Sequence, residues 1–163
     1  MGEIDRLLAA NEDFAGARES AALGPHPRRG LVVLTCMDAR IDILAAFGLH
    51  LGEAQVLRNA GGRVTDDVLR SLALSCTVLG ADMVVVMQHT ACRLALATDE
   101  ELRQRTGTDF DFLAITDHAA ALQDDVELLR AAPYLAGLRT IAGFLYDTPT
   151  GRVTEITRST RTA

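Results

Sequence analysis

The sequence predicts an α/β domain with a mainly parallel β-sheet of about four strands, flanked by helices and completed by a C-terminal antiparallel edge strand. Two observations predict this fold. Short apolar runs rich in β-branched residues alternate with segments of helical periodicity. Polar residues also gather directly after the first three apolar runs, at the edge where parallel sheets bind ligands. The 163 residues are enough for one domain with a sizeable core.

The predicted strands are short and separated by turn or helix signals. The central strands are expected at 31–36, 54–57, 83–87 and 141–146. A turn at 148–151 predicts that 152–157 returns antiparallel at the sheet edge. The first three strands lead into polar segments that begin at Cys36, Arg58 and Gln88.

Capping signals and periodicity predict the helices between these strands. They are expected at 41–47 before Gly48, at 66–79 between Thr65 and Gly80, and at 117–131 before Pro133, and Thr98–Glu101 has the form of a capping box. Leu69, Leu72, Cys76 and Leu79 recur at helical spacing, so we interpret Cys76 as a residue that faces the core.

Residues 1–30 are expected to form a separate helical arm. Ile4, Leu7, Leu8 and Phe14 suggest a short amphipathic helix that packs on a partner subunit. The predicted organisation is therefore an arm over 1–30 and one α/β domain over 31–163.

Charge and composition exclude several classes of function. A net charge of −6 and a pI near 5.1 argue against binding nucleic acid, which needs clustered Lys and Arg. No apolar run approaches a membrane span and the first residues lack signal-peptide features, so we expect a cytoplasmic protein with no membrane partner. The chain has three cysteines, an odd number, and thiols stay reduced in the cytoplasm, so a disulfide framework is not expected. Metal binding or catalysis by these cysteines must then be considered.

Three residues could together hold a metal ion. Cys36 ends the first strand, while His89 and Cys92 follow the third strand and are separated by two residues. Thiolate and imidazole are preferred zinc ligands, and three protein ligands leave a fourth position open, as in catalytic zinc sites. From spacing alone each residue could equally belong to the core, because one H-x-x-C pair is a common accident of sequence.

Three motifs in one order make the metal interpretation specific. They are Cys-Met-Asp-Ala-Arg at 36–40, Arg-Asn-Ala-Gly-Gly at 58–62 and His-Thr-Ala-Cys at 89–92. Together they resemble the β-class carbonic anhydrases, strongly over 31–92 and more loosely to the final strand, with a length similar to the compact bacterial members. The resemblance implies a zinc lyase that reversibly hydrates carbon dioxide to bicarbonate, in which a metal-bound hydroxide attacks the gas.

The resemblance also implies roles for individual residues. Cys36, His89 and Cys92 match the family's Zn²⁺ ligands, with one ion per chain, and Asp38 and Arg40 match its catalytic Asp-Arg dyad. Asp38 would accept a hydrogen bond from the hydroxide. Arg40 would hold the carboxylate by a charge-assisted fork and discourage it from moving onto the metal.

Four further motif residues are expected to form the substrate pocket rather than to catalyse, although the first two could simply shape a turn. They are Arg58, Asn59, Gly61 and Gly62. The other histidines lack a second ligand at useful spacing, and we interpret them as loop or helix-end residues. They are His26, His50 and His118.

Arg93 departs from the family pattern, which usually has glycine directly after the second cysteine ligand. A cation there could change the turn, narrow access or lower the pKa of the hydroxide, so Arg93 is a candidate pocket residue. Ala91 is a smaller departure, at a position where many relatives carry a polar residue.

Two alternatives to carbon dioxide hydration stay open. One is hydrolysis of a related small heterocumulene, such as carbonyl sulfide or carbon disulfide. The other is a catalytically silent zinc domain in which Asp38 closes the coordination sphere. In each case the resemblance implies a homodimer or a higher even homo-oligomer.

Overall fold

The computed structural model describes residues 1–17 and 23–161. Within these residues the strands are β1 Leu31–Cys36, β2 Ala54–Asn59, β3 Met83–His89, β4 Thr140–Tyr146 and β5 Val153–Thr160. The α-helices are α1 Glu3–Ala17, α2 Ile43–Phe47, α3 Asp66–Thr77, α4 Asp99–Thr106 and α5 His118–Ala131. Short 3₁₀ turns lie at Ala60–Gly62, Arg93–Ala95 and Pro133–Leu135.

The strands form one sheet in the order β2-β1-β3-β4-β5. The strands β1 to β4 run parallel, and β5 returns antiparallel to β4, which confirms the predicted fold class. The register brings the carboxyl ends of the parallel strands together, with Cys36 opposite Asn59 and His89 opposite Tyr146. The polar segments that follow these strands therefore meet at one edge of the sheet.

Each face of the sheet packs against its own apolar cluster. On one face Leu34 belongs to a buried cluster with Leu72 of α3 and Leu122 of α5. On the other face Met87 belongs to a cluster with Ile43 of α2. Because both faces are covered, the central strands are nearly continuous apolar runs rather than alternating ones.

Several elements end at residues other than those predicted. β2 and β3 continue through Asn59 and His89, because their pairing with β1 and β4 extends to those positions. α3 ends at Thr77 rather than at residue 79, since the amides of the next two residues both donate to the Leu74 carbonyl. Pairing with a neighbouring strand determines where each strand ends, and local sequence patterns do not reveal this pairing.

Side-chain capping explains where the other helices begin. Asp42 and Asp117 accept backbone N–H bonds as N-caps of α2 and α5, which therefore start slightly later than predicted. The capping box of Thr98 and Glu101 is confirmed at the start of α4. Thr65 has extended backbone before α3 but makes no side-chain capping bond.

Helix α1 presents apolar side chains to solvent. Ile4, Leu7 and Leu8 are 69%, 58% and 60% exposed, and no residue of α1 is buried. The arm over 1–30 stays a prediction, and its residues 18–22 lie outside the described residues. Among the described residues, no helix is both long and apolar enough to cross a membrane.

The three cysteines are free thiols. Cys76 is half-buried and packs against the cluster between the sheet and helices α3 and α5, which confirms its interpretation as a core residue. Burial raises the pKa of this thiol, as expected for a packing residue that takes no part in chemistry.

A buried ion pair joins the segment after β2 to α5. Arg63 Nε donates to Asp125 Oδ2 at 2.7 Å, and Arg63 Nη1 donates to the Leu113 carbonyl at 2.6 Å. The side chain of Asn59 donates to the Arg63 carbonyl at 2.8 Å and accepts from the Arg63 amide at 3.1 Å. Because a buried charge needs a partner, these contacts hold the end of β2 in place.

The turn after β2 lies directly on the ends of β1 and β3. Gly62 has a φ of +65°, and a Cβ atom there would lie 2.9 Å from the Met87 carbonyl oxygen and 3.0 Å from the Cys36 amide nitrogen. Both contacts are backbone atoms, which cannot rotate away. Only glycine allows this turn to approach the strand that carries Cys36.

We expect Gly62→Ala to lower the free energy of unfolding by about 3 kcal/mol or more, because it adds a backbone clash to a left-handed conformation. Gly80→Ala is the matched control, since Gly80 has a φ of +73° but nothing within 4 Å of its Cβ position. That control should lose only about 1–2 kcal/mol. Urea unfolding followed by circular dichroism measures both, and equal losses would contradict the close approach.

Candidate metal centre

Cys36, His89 and Cys92 converge at the carboxyl edge of the sheet. Cys36 is the last residue of β1, His89 is the last residue of β3, and Cys92 follows three positions later. The two Sγ atoms lie 4.0 Å apart, and the three potential ligand atoms all lie within 4.8 Å of one another. All three side chains are buried. The structure thus brings together the three residues that the sequence predicted as ligands.

The ring of His89 is held in one orientation. Its Nδ1 lies 2.9 Å from the Thr90 carbonyl oxygen and 3.3 Å from Thr148 Oγ1. Since the carbonyl only accepts, Nδ1 carries the proton and Nε2 keeps a free lone pair. Nε2 is buried and has no hydrogen-bond partner among the described residues. A buried lone pair without a partner is costly unless a cation binds it.

Thr148, from the loop between β4 and β5, completes the support of His89. Its Oγ1 donates to the Thr90 carbonyl at 2.8 Å, and its amide donates to Thr90 Oγ1 at 3.0 Å. Thr90 Oγ1 in turn donates to Asp147 Oδ1 at 3.2 Å. Sequence reasoning missed Thr148, because its only local signal is that of a turn.

The pKa values of the Cys36 and Cys92 thiols are shifted in opposite directions. A hydrogen bond with Cys92 lowers the pKa of Cys36 to about 4, assisted by the backbone amides of Asp38 and Gly61, while burial opposes the shift. The same bond, together with burial, raises the pKa of Cys92. One thiolate is therefore already favoured, and a bound cation would favour the second.

A metal ion fits this donor set. Tetrahedral zinc with sulfur ligands at about 2.3 Å places two sulfurs ~3.8 Å apart, close to the observed separation of Cys36 and Cys92. The unpartnered nitrogen of His89 supplies a third donor. Thiolate and imidazole ligands suit transition metals such as zinc, whereas Mg²⁺ and Ca²⁺ prefer oxygen ligands.

Asp38 and Arg40 lie beside the donors and bind each other. Arg40 Nε donates to Asp38 Oδ1 at 2.9 Å and Nη2 donates to Oδ2 at 2.7 Å, while the Arg40 amide also donates to Oδ1 at 2.9 Å. These bonds hold the pKa of Asp38 well below its usual range. Asp38 Oδ2 lies 3.8 Å from His89 Nε2, so the carboxylate borders the metal position.

Arg58 holds the segment that connects Cys36 to Asp38. Its Nε donates to the Cys36 carbonyl at 3.0 Å and its Nη2 donates to the Asp38 carbonyl at 2.6 Å. The backbone carbonyl of Asn59 accepts a further hydrogen bond, from the Met37 amide, at 2.8 Å. Both predicted pocket residues therefore act on backbone beside the ligands.

A mainly apolar cavity of about 400 Å³ opens over the donors. Gly61 and Arg93 line it, whereas Arg58, Asn59 and Gly62 are not among its lining residues. Three large apolar lining residues outside the three motifs were missed by sequence reasoning, because they come from segments with no shared local pattern. They are Leu94, Leu102 and Phe112. Met37 also lines the cavity from within the first motif.

The remaining histidines lie apart from the donor set. His26 Nδ1 lies 3.0 Å from the Leu79 carbonyl oxygen, and the His50 amide donates to Glu53 at 2.9 Å. His118 begins α5, and its Nδ1 lies 2.8 Å from Gln88 Oε1. Their positions in loops or at a helix end agree with the interpretation from sequence.

The part of the chain that matches a known protein family contains the donors of this site. The family model described as carbonic anhydrase matches residues 31–131, which include every donor and the dyad. The protein named Beta-carbonic anhydrase 1 of Mycobacterium tuberculosis is 34% identical over 164 aligned residues, covering 96% of this chain and 99% of that protein.

Solved structures show the same similarity. The crystal structure of carbonic anhydrase from Streptococcus mutans has a TM-score of 0.87 and 38% identity, covering 96% of this chain and 99% of that one. A protein named Carbon disulfide hydrolase, from Acidithiobacillus thiooxidans, is 36% identical over 130 residues, covering 74% of this chain and 59% of that protein.

Proposed function

The chain belongs to the β-carbonic anhydrase family, and from this premise we propose that it catalyses the reversible hydration of carbon dioxide to bicarbonate with one zinc ion. Cys36, His89 and Cys92 would hold the ion. The observation that carries the proposal is the convergence of these buried donors beside a forked carboxylate, under an apolar cavity.

The donor set determines what the ion could do. When bound, zinc lowers the pKa of coordinated water from 15.7 to around 7 and so supplies hydroxide near neutral pH. Three protein ligands leave room for that water, as in other catalytic zinc sites. His89 keeps its donor nitrogen aimed at the ion because Thr90 and Thr148 hold the opposite side of the ring.

Asp38 and Arg40 orient the nucleophile. Both carboxylate oxygens of Asp38 accept bonds from Arg40, so the carboxylate stays ionised and fixed. It can accept a hydrogen bond from the attacking oxygen and direct the lone pair of that oxygen toward carbon dioxide. The same fork already occupies both carboxylate oxygens of Asp38, which argues against a silent domain in which Asp38 would be a fourth ligand.

The cavity suits a small apolar gas. Met37, Leu94, Leu102 and Phe112 give it a mainly apolar lining, and carbon dioxide carries no net charge. An apolar wall limits competing water and leaves the substrate next to the donors. Gly61 contributes backbone at the floor beside Cys36.

Stopped-flow measurement of carbon dioxide hydration by the zinc-loaded protein tests this proposal. We expect zinc-dependent activity that rises between about pH 6.5 and pH 9, because the reaction needs the deprotonated form of the coordinated water. Cys92→Ser should lose most of its zinc and its activity together, since it replaces a thiolate ligand. Cys76→Ser is the matched control at a cysteine outside the site, and it should keep both.

Full zinc occupancy with no hydration at any pH would refute the proposal. In that case hydrolysis of carbon disulfide or carbonyl sulfide is the next candidate, because four similar proteins are named Carbon disulfide hydrolase. Carbonic anhydrase is favoured because Beta-carbonic anhydrase 1 aligns over 99% of its length, whereas the relatives named Carbon disulfide hydrolase align over 59% to 87% of theirs. Turnover of both gases by one preparation separates the two activities.

Arg40→Ala should lower kcat/KM for carbon dioxide about tenfold to a hundredfold while zinc content stays unchanged. The change removes both side-chain bonds that orient Asp38, but it removes no ligand. Arg40→Lys should fall between the wild type and Arg40→Ala, since lysine keeps the charge without the fork. Metal analysis beside stopped-flow kinetics measures both effects, and an Arg40→Ala enzyme with the kcat/KM of the wild type would contradict the orienting role.

We also propose that the chain forms a homodimer or a higher even homo-oligomer in the cytoplasm, with the arm over 1–30 packing on a partner subunit. The exposed Ile4, Leu7 and Leu8 of α1 support this assembly, because a helix with a solvent-facing apolar side gains by burying it. The free thiols of Cys36 and Cys92 support a reducing compartment, since only reduced cysteines bind metal.

Sedimentation velocity tests the assembly. The wild type should sediment as a dimer or a larger even oligomer, and Leu7→Glu should shift it toward smaller species because a charge enters the apolar side of α1. Ala9→Glu adds the same charge on the opposite side of the helix and should leave the assembly unchanged. A monomeric wild type, or equal behaviour of the two variants, would contradict the arm's role.

A further inference from the structure

Arg93 lines the metal cavity, and no described residue pairs with its charge. It opens the 3₁₀ turn Arg93–Ala95 directly after Cys92, is exposed, and lines the cavity over the donors. Within residues 1–17 and 23–161 its guanidinium makes no hydrogen bond or ion pair, whereas Arg40 and Arg58 are both bonded. An unpaired guanidinium beside a reaction site is available to a ligand.

A second depression, of about 240 Å³, adjoins the metal cavity. The two share Arg93 and Leu102, and Arg105 lines the second depression together with Leu96 and Ala97. Two arginines therefore border one shallow space that continues into the cavity over the metal donors.

The acidic groups nearby do not cancel this charge. Among the described residues, Asp38 is the one carboxylate that lines either space, and Arg40 already binds it. Glu101 borders a neighbouring depression with Arg105 but not with Arg93, and it accepts bonds from the amide and hydroxyl of Thr98. Glu101 thus offsets part of the charge of Arg105 and leaves that of Arg93.

We propose that Arg93, assisted by Arg105, forms an anion-binding subsite for bicarbonate at the mouth of the metal cavity. The inference rests on the proposed function, because bicarbonate is the product of that reaction. A guanidinium fork matches the planar oxygens of bicarbonate, which carries a negative charge. Carbon dioxide is neutral, so the subsite discriminates product from substrate.

Thermodynamics determines which kinetic constants this subsite can change. At a given pH the equilibrium constant fixes the ratio of kcat/KM in the two directions, so the subsite cannot favour one direction. It instead strengthens the complex with bicarbonate, which lowers the inhibition constant of bicarbonate during hydration and lowers the KM for bicarbonate during dehydration.

Bicarbonate inhibition of carbon dioxide hydration, measured at constant ionic strength with the zinc-loaded enzyme, tests the subsite. Arg93→Ala should raise the inhibition constant about three- to tenfold, and by more than it changes the KM for carbon dioxide. Arg93→Lys should give an intermediate value, and Arg105→Ala about a twofold rise because Glu101 already offsets that charge. Arg70→Ala is the control, since Arg70 is exposed on α3, pairs with Asp67 and lines a different depression.

Calorimetric titration of bicarbonate into the same zinc-loaded proteins gives a readout without turnover. We expect the same ranking of affinities, with Arg70→Ala equal to the wild type. Equal bicarbonate affinity of the wild type and Arg93→Ala in both measurements overturns the subsite. A protein that binds bicarbonate through Arg93 but hydrates no carbon dioxide supports the subsite and refutes the proposed function instead.

Discussion

The parallel pairing of β1 with β3 is the constraint on which the metal centre depends. It places Cys36 and His89 at one edge of the sheet, although they are 53 positions apart in the chain. Gly62 lets the turn after β2 lie against both strands, and the Arg63–Asp125 pair anchors that turn to α5. Ligand geometry is therefore a property of the packed sheet, and a change that shifts one strand alters the metal site.

Three arginines around the site perform different tasks because their surroundings differ. Arg58 bonds two backbone carbonyls and so orders the segment between a ligand and the dyad. Arg40 bonds a carboxylate and fixes its direction. Arg93 bonds no described residue and faces open space, which leaves its charge for a solute. Arginine thus stabilises backbone, orients a carboxylate or remains available to a solute, depending on the groups that surround it.

Short local patterns in the sequence were sufficient to predict the sheet class, whereas the ligand set followed from the resemblance to the β-class carbonic anhydrases, because spacing alone left each residue open to a core role. Cys36 and His89 each end a β-strand, Cys92 follows three residues after His89, and the ends of parallel strands meet at one edge of the sheet. The support of His89 by Thr148 and the cavity wall at Phe112 were not predictable, since both come from distant segments placed only by tertiary packing. Conversely, Arg58 was predicted near the site, but its bonds to backbone carbonyls were not.

The bonds between Thr148 and Thr90 have a consequence for the border of the sheet. The loop that carries Thr148 connects β4 to β5, and β5 is the outermost strand of the sheet. An edge strand offers unpaired backbone groups to another chain. The loop that leads into this edge strand therefore also holds the imidazole of His89, so one loop serves both the border of the sheet and the orientation of a donor ring.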